Sequence, residues 1–245
     1  MPLEQFELSL VARTVITPKT LHLEFVRTDQ KPLAFSAGQF ITFLLKDAQG
    51  ALKRRSYSIA SFPKDATIAL AISLVPGGFA SELFANLKPG DVLPAMGPAG
   101  RLILQEEPVA RYLLLGTGTG IAPYRAMLPE LVERMHKEPI AAVVIEGVQY
   151  RQDLLYHQDF LAIMQTTPKF QFQAYYSREP DGALADFERQ GYVQSAFASL
   201  MLNPLQDIIY LCGNPNMIDH AFKTLTETYG FATSRIRREK YISSN

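Results

Sequence analysis

With 245 residues, 24 Lys+Arg against 24 Asp+Glu and 47% hydrophobic residues, the chain has an ordinary globular balance and zero formal net charge, whereas a generic nucleic-acid binder carries a basic excess. Its single cysteine, Cys212, excludes an intrachain disulfide and any iron–sulfur cluster held by this chain's own thiolates. His22, His136, His157 and His220 lack metal-ligand spacing, so no metal is expected. No apolar run approaches the roughly 20 residues of a membrane span. Residues 1–5 have neither the basic start nor the apolar core of a signal peptide, and the expected compartment is the cytoplasm.

From residue 6 to 104 the chain reads as short strands. Residues 6–11 and 20–26 alternate apolar and polar, as half-buried antiparallel strands do, and 39–45, 56–60, 67–75 and 91–96 follow between Gly, Pro, Lys and Asp. Six such strands predict a small closed barrel. Phe79, Leu83, Phe84 and Leu87 break the pattern with helical spacing, predicting a short helix across one barrel end. In the basic stretch Arg54-Arg55-Ser56-Tyr57-Ser58, strand periodicity puts Arg55, Tyr57 and Ile59 on one face and Ser56 and Ser58 on the other. Pro76-Gly77-Gly78-Phe79-Ala80-Ser81 opens the short helix with two glycines. Such a start suits an anion, and a plain turn reads the same.

After Pro108 strands and helices alternate. Strands are expected at 111–115, 140–145, 170–176 and 207–211, and helices at 124–136, 154–164, 193–201 and 217–229. Alternation implies a parallel sheet with helices on both faces and ligands beyond the carboxyl ends of its strands. Between the first strand and helix lies Gly116-Thr117-Gly118-Thr119-Gly120-Ile121-Ala122-Pro123. Side-chain-free backbone there can approach a nucleotide at a helix N-terminus. It can equally let strand and helix pack closely. The third glycine comes one residue too early for the dinucleotide fingerprint.

In combination, Arg-x-Tyr-Ser on a barrel strand, Gly-Gly-x-x-Ser at a helix start, Gly97-Pro98-Ala99-Gly100 at the barrel's end and Gly-Thr-Gly-Thr-Gly-x-Ala-Pro resemble the ferredoxin–NADP reductase family over essentially the whole chain. The resemblance implies an FAD-binding antiparallel barrel domain at 1–107 and an α/β domain binding NADP(H) at 108–245. It implies hydride transfer between nicotinamide and flavin N5, and single-electron exchange with a ferredoxin or flavodoxin. Arg55 would hold the flavin pyrophosphate by charge-assisted hydrogen bonds. Ser56 and Tyr57 would line the flavin, with the tyrosine against the ring, and Ser58 would sit beside N5. The N–H groups of Gly78, Phe79, Ala80 and Ser81 would cap the pyrophosphate, and backbone near Ile72, Leu74 and Val75 would line the ring.

In the second domain the resemblance assigns Gly118, Thr119, Gly120, Cys212 and Gly213 to the bound nucleotide, with Thr119 and Cys212 flanking the nicotinamide ring. Ser177 and Arg178 would read the 2′-phosphate, a hydroxyl donor beside a guanidinium suited to phosphate. Tyr192 would stack on adenine and Gln194 bond its edge, as in plant-type members. The arginines that many bacterial members carry where Tyr192 and Gln149 stand are missing here. Near the end, Glu239 and Tyr241 resemble the proton-handling and flavin-covering residues, although four residues follow Tyr241, where plant-type members stop. The run Arg235-Ile236-Arg237-Arg238-Glu239-Lys240 is either a solvated edge or a face for an acidic carrier. Two other readings stand beside this one: an NAD(P)H-dependent reductase component of an oxygenase system, with any cluster on a partner, and a non-catalytic nucleotide-binding regulatory or scaffold subunit.

Overall fold

A computed structural model describes residues 3–241. The chain divides into two compact units, one ending at Leu104 and the other running on from Gln105.

The first unit is the expected antiparallel barrel. Strands β1 (Gln5–Thr17), β2 (Thr20–Arg27), β3 (Phe40–Lys46), β4 (Leu52–Ser58), β5 (Ile68–Ser73) and β6 (Val92–Ala99) lie in the order β4-β3-β6-β1-β2-β5. Helix α1 (Phe79–Asn86) follows β5. Alternate residues of each strand, among them Leu8, Leu10, Leu23, Phe25, Ile41, Phe43 and Leu70, fill one core together with Phe84 of α1. The ends of the order, β4 and β5, are joined by one isolated bridge, Ile59↔Leu70, and by Ala60 N–H donating to the Ala69 carbonyl at 2.7 Å.

Strand β4 starts and ends earlier than its apolar residues suggest. Its partner decides this, since the register runs from Lys46↔Leu52 to Phe40↔Ser58. The connecting turn is held by Asp47, whose carboxylate accepts from Gln49 and Ala51 N–H. The charged Lys53-Arg54-Arg55 segment is therefore strand, stabilised by ladder pairing and not by burial of its own side chains.

The second unit is a six-stranded parallel sheet. Its strands are β7 (Arg111–Thr117), β8 (Ala141–Val148), β9 (Phe170–Tyr176), β10 (Glu188–Gln190), β11 (Asp207–Gly213) and β12 (Ile236–Lys240), ordered β10-β9-β8-β7-β11-β12. One face packs on α4 (Pro215–Glu227) through Leu113, Leu115, Ile209 and Leu211 against Ile218, Ala221 and Leu225. The other meets α2 (Ala122–Lys137), whose Arg134 reaches the Tyr112 hydroxyl, and α3 (His157–Thr166), whose Phe160 stacks on Phe172 at 5.1 Å.

Two expected helices are shorter. Residues 154–156 form a connector that ends in Tyr156 at φ +55°, and α3 begins only at His157. Residues 193–201 form a 3-10 helix over Val193–Ala198, and Met201 takes φ +43°. The edge strands β10 and β12 were not expected. Both are polar, as exposed edges tend to be, and neither shows an apolar period. No helix among the described residues is long and apolar enough to cross a membrane.

Candidate functional site

In the barrel unit the candidate residues gather where the sheet comes closest to failing. Opposed residues share a face in an antiparallel pair, so Arg55 and Tyr57, opposite Phe43 and Ile41, lie on the core side. The Tyr57 ring packs edge-on to Phe84 at 5.3 Å and lies 6.1 Å from Phe43. Burial pushes its phenol up to about 12, with Arg55 pulling weakly the other way. The hydroxyl is therefore a neutral donor at ordinary pH. On the other face Ser56 shares a hydrogen bond of 2.8 Å with Thr42, while Ser58 is buried. Because β4 and β5 share a single bridge, no ladder pairing joins Tyr57 to Ile72 among the described residues. Ile72 turns its side chain into the core and can offer a ligand only backbone.

Beyond β5 the chain folds back into α1. Gly78 N–H donates to the Val75 carbonyl at 3.0 Å, and the Ser81 hydroxyl accepts from Val75 N–H at 2.8 Å. Leu74 N–H is tied to the Lys19 carbonyl, Gly77 takes φ +69°, and a Cβ on Gly77 would meet no atom within 4 Å. Gly78 supplies no side-chain cap, so the first turn of α1 presents the N–H groups of Phe79, Ala80 and Ser81 outward, as an uncapped helix start does. An uncapped, Cβ-free helix start on the same small unit as Arg55 suits the pyrophosphate of a flavin dinucleotide.

In the second unit the glycine stretch meets Cys212 and Gly213 at the carboxyl ends of β7 and β11. A Cβ on Gly120 would lie 2.4 Å from the Cys212 carbonyl oxygen, one on Gly213 2.5 Å from Thr117 Oγ1, and one on Gly116 2.9 Å from the Gly120 carbonyl oxygen. These three glycines answer to backbone packing. Gly118 differs: it takes φ +52° and a Cβ there would meet nothing within 4 Å. It opens a single 3-10 turn, Gly118–Ile121, that carries half-exposed Thr119 before α2 begins. Thr117 Oγ1 accepts from Asn214 N–H at 2.9 Å, and Asn214 caps α4 by accepting from Asn216 and Met217.

Strand β12 sets Glu239 in register with Cys212, and Tyr241 N–H donates to the Gly213 carbonyl at 2.8 Å. Cys212 is fully buried. Burial pushes its thiol well up, the neighbouring Glu239 adds to this, and a hydrogen bond with Tyr241 opposes it. Cys212 is thus a neutral thiol, unsuited to nucleophilic attack. The basic run is committed locally. Arg235 donates to the Pro108 carbonyl, Arg237 pairs with Glu107, Arg238 lies 3.7 Å over the Phe222 ring, and Lys240 pairs with Asp219. Residues 242–245, which follow Tyr241, lie outside the described residues, as do Met1 and Pro2.

At the end of β9, Ser177 and Arg178 N–H donate to the Val148 and Gln149 carbonyls at 3.0 Å each. The Arg178 guanidinium is exposed and makes no hydrogen bond or ion pair with another described residue. Arg189, by contrast, folds back onto the Asp186 and Glu188 carbonyls. Tyr192 exposes 68% of its surface. Gln194 lies two residues on, its amide 3.1 Å from His220 Nδ1 and its Oε1 buried without a partner.

Sequence reasoning missed Glu146. It is fully buried on β8, and its Oε1 accepts from Leu155 N–H at 2.8 Å while Oε2 has no partner. Burial pushes its carboxyl well above the usual range, against that one hydrogen bond. A glutamate in an apolar run was the available signal. No three metal-ligating side chains cluster among the described residues.

Residues 7–103 match the family model for the oxidoreductase FAD-binding domain, and residues 114–223 that for the oxidoreductase NAD-binding domain. The chain is 30% identical to ferredoxin–NADP reductase B of Sorangium cellulosum, over 97% of this chain and 98% of that protein. It is 31% identical to the toluate 1,2-dioxygenase electron transfer component of Pseudomonas putida, over 94% of this chain but only 65% of that protein. Among solved structures, the Amycolatopsis cytochrome P450 reductase GcoB superposes with a TM-score of 0.85 at 30% identity, covering 98% of this chain and 70% of that one.

The chain belongs to the ferredoxin–NADP reductase family. It is an FAD-dependent NAD(P)H oxidoreductase, and the scaffold reading is set aside.

Proposed function

We propose that the chain is a ferredoxin- or flavodoxin–NADP(H) oxidoreductase. Bound FAD supplies hydride exchange at N5 and one-electron exchange with a protein carrier. This chain's residues bind, orient and hold protons. Arg55 and the α1 N-terminus take the pyrophosphate. Tyr57 offers its ring face and a neutral hydroxyl, and Ser58 sits at the end of β4 beside the Ile59↔Leu70 bridge. Thr119 and Cys212 flank the nicotinamide, with Gly118 leaving room for it. Glu239, in register with Cys212, takes the proton-handling role beside the thiol. Tyr192 and Gln194 take the adenine.

The observation that carries the NADP half of this reading is the exposed, uncommitted Arg178 guanidinium beside Ser177 at a parallel-strand end, where such folds bind ligands. A 2′-phosphate held there gains charge-assisted hydrogen bonds worth roughly 1.5–3 kcal/mol each. The second reading, an oxygenase-system reductase using NADH, is favoured by the similarity to the toluate dioxygenase component. The two separate on kcat/KM for both nucleotides in wild type, Arg178→Ala and Tyr192→Ala. The proposal expects Arg178→Ala to lower the NADPH value strongly and the NADH value little, and Tyr192→Ala to lower both alike. Equal wild-type use of the two nucleotides, or equal damage to both in Arg178→Ala, points to the oxygenase reading.

A further inference from the structure

The loop that carries Ser177 and Arg178 has almost no core of its own. Residues 178–186 are polar or exposed apart from half-buried Glu179, and an unrestrained loop of that kind samples many conformations. Its two stems are fixed: Gln190 is the strand partner of Tyr176, and Gly191 N–H donates to the Tyr176 carbonyl at 2.8 Å.

Beside the backbone bonds of Ser177 and Arg178 to the end of β8, and the bonds from Gln190 to the Glu179 carbonyl and from Arg189 to the Asp186 carbonyl, the loop is tied to a second element by Arg151. Arg151, after β8, chelates Glu188 through two hydrogen bonds of 2.8 and 2.7 Å and reaches the Ala183 carbonyl at 3.1 Å. Its own N–H donates to Glu179 Oε2 at 2.7 Å. Glu188 is buried and also accepts from the Tyr176 hydroxyl at 2.6 Å and from Ala185 N–H at 2.8 Å. Burial would raise its carboxyl, but the bonds from Arg151 and Tyr176 hold it down to about 2. Such a charge-assisted fork fixes geometry as well as supplying attraction. Arg151 therefore reaches the loop at Glu179, Ala183 and Glu188, just past Arg178.

We infer that the Arg151–Glu188 pair is the positioning device that holds residues 177–187 where Ser177 and Arg178 can meet a 2′-phosphate, so that both residues set the NADPH-over-NADH selectivity. Neither touches the nucleotide in this account. They act through the loop, and the inference rests on the reading of Ser177 and Arg178 given above.

The test compares Arg151→Met, Glu188→Gln and Arg178→Ala in the flavin-loaded enzyme, by kcat/KM for NADPH and NADH and by hydrogen exchange of the amides of residues 177–187. Arg151 is exposed, so Arg151→Met keeps the test available should Glu188→Gln fold poorly. Arg151→Met is expected to lower the NADPH:NADH selectivity about tenfold, through the KM for NADPH and not through kcat, the size of effect a small misplacement of a binding group produces. Exchange across 177–187 should quicken, and Glu188→Gln, which keeps the shape, should fall between wild type and Arg151→Met. Unchanged selectivity in Arg151→Met alongside lost selectivity in Arg178→Ala overturns the positioning role and leaves the Arg178 reading standing. Equal loss with both nucleotides also overturns it, because the pair then serves the fold. Unchanged selectivity in Arg178→Ala overturns the Arg178 reading, and the inference falls with it.

Discussion

The two units build their candidate sites in opposite ways. In the barrel the residues collect where the strand ladder is sparsest, beside the Ile59↔Leu70 bridge, and a Cβ on Gly77 would enter open space although one on Gly78 would lie 3.0 Å from the Val75 carbonyl oxygen. In the parallel sheet they collect where packing is tightest, with β7 and β11 ending so close that a Cβ on Gly120 or Gly213 would overlap backbone or Thr117. Similar-looking glycine signatures thus mean different things. Around Gly77 glycine provides access and a left-handed turn. At Gly116, Gly120 and Gly213 it permits two strand ends to touch, and Gly118 alone in that stretch keeps space clear.

The largest effect expected is in the barrel. Arg55→Ala removes the charge proposed to face the flavin pyrophosphate and should cost about 2–5 kcal/mol of flavin binding, the range for a buried hydrogen-bonded charge pair. The flavin-to-protein absorbance ratio after purification checks this, and a full complement removes Arg55 from the site. Next come the glycines of the tight site. Gly120→Ala must force Cβ against the Cys212 carbonyl and should destabilise by about 3 kcal/mol, the upper end for overpacking. Gly118→Ala meets only the left-handed backbone cost of roughly 1–2 kcal/mol but should weaken nicotinamide binding. Denaturant unfolding and KM measured on both variants check this, and equal loss of stability in the two would contradict the difference between a packing glycine and a space-keeping one.

Cys212→Ala should leave flavin content intact and slow hydride transfer up to about a hundredfold, since a 1 Å misplacement can cost that much. An unchanged single-turnover rate of flavin reduction removes the thiol from the catalytic list.

The smallest effect concerns Glu146. Its folded-state pKa is raised, chiefly by burial, so the native state binds a proton that the unfolded chain has released. Stability is then full below the ordinary glutamate pKa and declines as pH rises above it. Glu146→Gln keeps an acceptor for Leu155 N–H and should flatten that decline, gaining about 1 kcal/mol near pH 8. Urea midpoints at pH 5 and 8 decide it, and parallel slopes for wild type and variant would contradict it.

Much of this was legible in the sequence because the strongest signals are local. Alternation in residues 6–11 and 20–26, the apolar run before Gly116 and the helical spacing around Phe84 each report burial by one element. Strands held by partners alone were not legible. Charged Lys53-Arg54-Arg55 is strand because β3 lies beside it, and β10 and β12 are edges whose polar residues carry no period. The expected helices over 154–164 and 193–201 have apolar residues at suitable intervals, yet a left-handed Tyr156 and a left-handed Met201 bound them. At the site, residue types could be read directly, whereas the Arg151–Glu188 contact joins positions far apart in the chain and leaves no local trace. The basic C-terminal run looked free in sequence, and its partners Glu107, Asp219 and Phe222 are visible only in the fold.

The most direct test of the proposed activity is anaerobic stopped-flow reduction of the purified protein by NADPH and by NADH, followed by mixing with oxidised ferredoxin or flavodoxin. The account predicts a yellow protein whose flavin absorbance bleaches faster with NADPH and returns as one of the carriers is reduced. Equal or faster bleaching with NADH, or a reduced flavin that passes electrons to neither carrier, would contradict it.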